Sequence, residues 1–557
     1  MKAILLLFIL PLSIYAQQLP DSITKRIDDI FRTFNNTSPG CAVAIVKDQQ
    51  LIFSKGYGMA NLEYGAPIRP GTRFHIASVS KQYTAFCMLL LEKDGLIQLD
   101  DDIRKYLDFV PDFGKKITIR QLIYHISGLR DQWQLLAHAG WQLDDVIKQE
   151  HVIKLISRQK ALNFDPGEEY SYCNTGYTLM AELVKKVTGL SLRQYADQKI
   201  FKPLGMDSTH FNDNYQELLH HRAYSYSPKS GGGFQHEVLS YSTVGPTSLM
   251  TTVGDHVKWL NNFETGKVGG MDLINKMFET GTLNDGRKLN YAYALVIDKY
   301  RGYKQVSHFG ADAGFRTVSV TFPELKLGIV IFSNYAFANL STYYRRVADL
   351  FMKEEKSTES DKGSKINLET VDSSLLKKLQ GSYYSFNGER LYLKWIDGKL
   401  YLSTAAGARG SQIEMLKGER NKINLPGIMQ EWIFDERNLA ADSVQRFLVK
   451  KENSNAVFYR QPFQQPIATD DFTGRFYNDE CESFYTISIK DGRLWLDNNK
   501  YPSVELRAIA PDQFNSNLWW ISHIRFLRDK KNRVIAFEVN AGRVQHLLYK
   551  KLKREIE

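Results

Sequence analysis

Three short segments of this chain carry residue types that together can do covalent chemistry. The first is Ser78-Val79-Ser80-Lys81. Residues three apart share one helix face, so the lysine amine can reach the serine hydroxyl. A serine is a weak nucleophile and needs a base. A lysine becomes that base when burial or a neighbouring cation lowers its pKa. The chemistry implied is attack of Ser78 on a carbonyl to give an acyl-enzyme. The same spacing recurs at Ser22/Lys25, Ser157/Lys160 and Ser374/Lys377, each of which reads as a solvated helix face. Spacing alone therefore decides nothing, and the first pair is singled out by its company.

That company is Tyr172-Cys173-Asn174 and His308-Phe309-Gly310. A tyrosine beside a lysine cation can have its phenol acidified and shuttle a proton. An asparagine can hydrogen-bond the lysine or a substrate amide. A histidine can donate to the phenol or to a substrate carboxylate. A glycine in a strand lets a ligand approach the backbone. His138-Ala139-Gly140 has the same form as the third segment but lies in a helical region, and is treated as coincidence.

The elements that must position these residues follow from pattern. Cys41–Val46 and Leu51–Phe53 flank Lys47–Gln50 as a hairpin, and Thr317–Phe322 with Leu327–Phe332 form another around Pro323-Glu324. Between them Tyr83, Phe86, Cys87, Leu90 and Leu91 recur at helical spacing, with Gly95 as a stop. A second helical run spans Leu179 to Val187, behind the turn-rich stretch Asp165–Gly176. Strands at both ends with helices between predict an α+β domain whose sheet joins the two ends, over residues 17–352.

Residues 353–365 are polar, charged and free of aromatics, and 353–369 read as a linker. Beyond them the character becomes all-β. Arg390–Ile396, Asp397-Gly398 and Lys399–Leu402 form a hairpin, and Phe484–Lys490, Asp491-Gly492 and Arg493–Leu496 repeat it. The flanks repeat too: Gly381–Tyr384 matches Gly474–Tyr477, and Arg446–Leu448 matches Arg525–Leu527. Residues 370–557 thus hold two copies of one unit. They form either two small barrels or two halves of one, since closure removes exposed strand edges.

The chain has 557 residues, too many for one core, and 43% apolar content excludes disorder. Its charge of +10 is spread without a Lys/Arg run, so it reads as a solvated surface with no nucleic-acid partner. Residues 1–16 combine Lys2, an apolar run from Ile4 to Ile14 and Ala16, the pattern of a secretory signal peptide. Export to the periplasm or beyond is the expectation, with no transmembrane segment in the mature chain. Cys41, Cys87, Cys173 and Cys481 are far apart and read as buried free thiols. No zinc spacing is present, and no metal or cofactor is expected.

In order along the chain, Ser-x-x-Lys, Tyr-x-Asn and His-x-Gly resemble the serine β-lactamase and penicillin-binding protein superfamily, nearest its class C β-lactamase-like branch. Phe74–Lys81, Leu122–Leu129 and Phe201–Met206 fit as well, so the resemblance runs from about residue 20 to 352. The C-terminal repeats resemble the lipocalin-like domains of some members. The resemblance implies Ser78 as nucleophile, Lys81 as general base shared with Tyr172, and Asn174 positioning substrate. It implies His308 supporting Tyr172 and facing the substrate beside Gly310, with the amides of Ser78 and Ala311 as an oxyanion hole. His125 and Ser127 match a family phrase and are read as supporting the fold. The implied partners are small peptide, β-lactam-like or ester substrates. Class C β-lactamases have Lys where this chain has His308, so efficient β-lactam turnover is not expected. Three readings stay open: a hydrolase of amide or ester bonds, a penicillin sensor that acylates without turnover, and a binding role centred on the β-repeats.

Overall fold

The computed structural model describes residues 19–352 and 470–552 and, between them, 373–385, 390–404 and shorter stretches up to 461. The expected signal segment 1–16 and linker 353–369 lie outside the described residues. The central sheet is antiparallel with six strands. In spatial order these are Val296–Tyr300, Tyr303–Asp312, Phe315–Phe322, Leu327–Ser333, Cys41–Lys47 and Gln50–Tyr57. The last sheet strand of this region thus pairs with the first, Cys41 opposite Ser333 and Lys47 opposite Leu327, as the two hairpins predict.

Alternation within a strand explains why Cys-Ala-Val-Ala-Ile-Val is apolar throughout. Cys41, Val43 and Ile45 face one core with Ile27, Phe31, Tyr344 and Val347 of the terminal helices Asp21–Phe31 and Leu340–Ala348. Ala42, Ala44 and Val46 face the other core with helices Lys81–Lys93 and Val253–Thr265. A sheet covered on both faces needs no polar side. The helix predicted at Tyr83–Leu91 is Lys81–Lys93, ending before Gly95 at φ +72°. The second predicted helix begins earlier than expected. It runs Asn174–Thr188, so Asn174 sits on its first turn, with Cys173 as its N-cap and Tyr172 one residue further back.

The two β-repeats form separate sheets. The second is a closed eight-stranded barrel, with Gly474–Asn478 pairing back to Val544–Lys551. The first follows the same meander, with Gly381–Ser385 pairing its last strand, Ser454–Gln461. Among the described residues its ring is open between Ser411–Gln412 and Leu416–Lys417. Both Asp-Gly turns have positive φ at both residues, as two-residue hairpins of this hand require: +49° and +74° at Asp397-Gly398, +52° and +70° at Asp491-Gly492.

The barrel is joined to the α+β region by one apolar cluster that includes Leu135 and Leu136 as well as Ile521 and Val544. A buried ion pair reinforces the joint. Arg130 Nη1 lies 2.7 Å from Glu480 Oε2, with both side chains almost wholly enclosed. Arg130 also donates to the carbonyls of Gln545 and His546 at 2.9 and 2.7 Å. Removing one partner strands the other charge. Glu480→Ala is expected to destabilise the protein by about 3 kcal/mol, read as a lowered urea midpoint. His138 belongs to this joint as well, its Nδ1 3.1 Å from the Tyr549 hydroxyl, so this histidine has a structural role.

Candidate active site

Ser78 lies on a 3-10 turn, Ala77–Ser80, that runs straight into helix Lys81–Lys93. Ala77 is held at φ +49°, a conformation costly for a side-chain-bearing residue and common at functional turns. The neighbouring strand secures this turn. Thr317 Oγ1 donates to the Ile76 carbonyl at 2.8 Å. A side chain at Gly310 would meet Thr317 Oγ1 at 2.2 Å and the Ile76 carbonyl at 2.6 Å. The glycine expected to admit a ligand thus admits the Ser78 turn itself.

Six of the seven sequence-derived residues, Ser78, Tyr172, Asn174, His308, Gly310 and Ala311, line one cleft of about 1440 Å³. The seventh, Lys81, is completely buried beneath it. Its Nζ is 3.1 Å from Ser78 Oγ, 2.9 Å from Asn174 Oδ1 and 2.8 Å from the Pro246 carbonyl. The Asp131 carboxylate, which only accepts, takes the Asn174 Nδ2 and backbone N–H at 2.8 Å each. That fixes Oδ1 as the end facing Lys81. Burial, aided by the Arg543 guanidinium and opposed by Asp131 and Asp312, pushes the Lys81 pKa down to about 7.

Tyr172 differs from expectation. Lys81 Nζ lies 4.8 Å from its ring centroid, yet its enclosed hydroxyl makes no direct hydrogen bond. Burial pushes its pKa up, outweighing the lowering influence of Ser78 and Arg543. The phenol is therefore neutral at ordinary pH rather than acidified.

His308 also has a different neighbour from the one expected. It makes no hydrogen bond to Tyr172; its Nε2 is 3.1 Å from the Tyr291 hydroxyl, which is 3.2 Å from His125 Nε2. The Cys173 amide donates to His125 Nδ1 at 3.0 Å, and His308 Nδ1 is 2.7 Å from the Phe309 carbonyl. An amide only donates and a carbonyl only accepts. His125 therefore carries its proton on Nε2, Tyr291 passes its own toward His308 Nε2, and His308 is protonated on Nδ1. Burial, with Lys81 nearby, pushes His308 down to about 3, so it stays neutral and supplies no cation for a carboxylate. The His125 ring centroid lies 4.1 Å from that of Tyr172, with the two rings tilted by 39°.

Asp131, Tyr291 and the Pro246 carbonyl had no signal in the sequence, and neither did Arg543, whose Cζ lies 4.8 Å from the Tyr172 ring centroid. His125 had one, its place in the phrase Leu122–Leu129. All four cysteines are buried free thiols, as expected. Among the described residues, no group of three His, Cys, Asp or Glu has the geometry to hold a metal ion.

The fold and this cleft define a class, and the beta-lactamase family model matches residues 27–350. The chain belongs to the beta-lactamase family. It is 30% identical over 279 residues to a D-aminopeptidase of Brucella anthropi, covering 50% of this chain and 52% of that protein. The chain thus spans about half the length of that relative. In fold it is similar to the octameric penicillin-binding protein homologue from Pyrococcus abyssi, with a TM-score of 0.53, 22% identity and coverage of 87% of this chain and 99% of that one. It is similar also to the D-amino acid amidase from Ochrobactrum anthropi SV3, with a TM-score of 0.50, 20% identity and coverage of 59% and 98%.

Proposed function

We propose that the chain is an exported serine hydrolase that cleaves amide bonds of D-amino-acid peptides or amides through an acyl-enzyme on Ser78. The observation that carries this reading is the environment of Lys81. A neutral amine has two N–H donors and one lone pair. Asn174 Oδ1 and the Pro246 carbonyl take both donors, which leaves the lone pair directed at the Ser78 hydroxyl. A pKa near 7 keeps that amine available as a base near neutral pH.

Ser78 Oγ attacks the carbonyl carbon as its proton passes to Lys81 Nζ. The oxyanion forms towards the amides of Ser78 and Ala311, where each donor is worth ~2.7–4 kcal/mol. As the C–N bond breaks, the leaving nitrogen takes a proton from Lys81 directly or through the neutral Tyr172 phenol. A water then attacks the ester carbonyl, and Ser78 recovers its proton. The similarity to D-aminopeptidase supports the D-amino-acid amide class, and residues 1–16 support export. The neutral His308 argues against efficient β-lactam turnover.

Incubation with a fluorophosphonate, followed by tryptic mass spectrometry, is expected to place one adduct on Ser78. An adduct elsewhere, or none, would sink the reading. D-alanine p-nitroanilide should then give steady turnover. A burst without turnover would favour a sensor that acylates and stops.

A further inference from the structure

The barrel reaches into the cleft through the tip of its hairpin Val534–Ala541 and Val544–Lys551, where Gly542 and Arg543 join the two strands. This tip is held from the α+β side. The Arg543 amide donates to Gln134 Oε1 at 2.6 Å. Its carbonyl accepts from the Asp131 amide at 3.1 Å and from Asn163 Nδ2 at 2.9 Å. Gln134 Nε2 donates to the Ala541 carbonyl at 2.9 Å. The side chain, so tightly founded, is itself 46% exposed and lies over Tyr172.

Its guanidinium has little to bind. Among the described residues its one carboxylate neighbour is Asp131 at 3.9 Å, and that oxygen already accepts two hydrogen bonds from Asn174. The other acids of the cleft offer no better partner. Asp312 is taken by His75 and Thr247, Glu237 by Ser227, and Asp144 is exposed. Arg316 also lines the cleft, but its Nη1 is spent on the carbonyls of Ala313 and Phe315. A planar fork of donors, anchored beside the nucleophile with no acceptor of its own, matches a carboxylate. Along the same cleft, Trp519 of the barrel with Leu143 and Val238 are large apolar side chains left exposed.

We infer that Arg543 is a substrate-recognition residue supplied by the barrel, and that preferred substrates carry a free carboxylate on an apolar body. The inference rests on the reading of this cleft as the substrate site and adds the substrate class. It also gives the barrel a function: it completes the pocket with a cation that the α+β region lacks at His308.

The test compares N-acetyl-D-phenylalanine with its amide by titration calorimetry, on the full chain carrying Ser78→Ala so that the amide is not cleaved, and on the same protein with Arg543→Ala or Arg543→Lys added. Circular dichroism checks that each variant is folded. The acid is expected to bind at least ~10-fold more tightly than the amide to the Ser78→Ala protein that keeps Arg543, the scale of a charge-assisted pair. Arg543→Ala should bring that ratio to within about twofold of unity, and Arg543→Lys should restore part of it, because the charge returns without the fork. An acid that binds no tighter than its amide, or a ratio that Arg543→Ala leaves unchanged, overturns the inference. Binding needs no nucleophile, so a missing Ser78 adduct would defeat the hydrolase reading without altering this ratio.

Discussion

Ser78→Ala is expected to lower kcat/KM for D-amino-acid amide hydrolysis by ~10³-fold or more and to abolish the fluorophosphonate adduct. The fold should survive the change. Ser78 faces the cleft, and the hydrogen bond to be lost joins it to Lys81. Lys81 keeps Asn174 and Pro246 as partners, so no buried group is left without one. Circular dichroism and the urea midpoint should therefore match the unaltered protein closely while turnover disappears. Turnover at the unaltered rate in this variant would remove Ser78 from the mechanism.

Lys81→Met should cost ~10²–10⁴-fold in kcat/KM, the range for loss of a positioned general base. With Lys81 present, the pH dependence gives a sharper reading. Its folded-state pKa of about 7 means that the amine is protonated and inactive below that pH and free above it. The profile of kcat/KM should rise through an apparent pKa near 7 and then level off. His308 contributes no limb between pH 5 and 9, since burial keeps it neutral there. Stability follows the same group. The unfolded lysine titrates near 10.4, so between about pH 7 and that value the unfolded chain binds more protons than the folded one. Folding stability from this residue therefore rises with pH across that window, and the full burial penalty applies below it. A profile that is flat from pH 5 to 9 would show that Lys81 is not the titrating base. Lys81→Met also leaves Asn174 Oδ1 and the Pro246 carbonyl without their donor, at ~1–3 kcal/mol each, so its kinetics are compared at equal folded fraction.

What the sequence determined by itself was what depends on near neighbours. Apolar runs around short turns placed the two sheet hairpins, because side-chain alternation is a local property. The Asp-Gly pairs at 397–398 and 491–492 placed two more, because positive φ at both positions needs those residue types. The recurrence of Tyr83, Phe86, Leu90 and Leu91 placed the helix that carries Lys81. Ser78, Tyr172 and His308 stood out by residue type and order, and the fold brings all three to one cleft.

The tertiary structure alone decided which partner each of those residues has. Asn174 holds Lys81 and Asp131, and His308 holds Tyr291. Tyr172 is driven toward the neutral phenol because enclosure by distant segments outweighs the Ser78 hydroxyl and the Arg543 guanidinium beside it. Arg543 stands over Tyr172 although 371 residues separate them, on a hairpin whose own sequence signals only a turn. Contacts of that range leave no period or spacing in the chain. Enclosure, which sets the lysine near 7 and the histidine near 3, is made by every segment at once and belongs to the folded molecule.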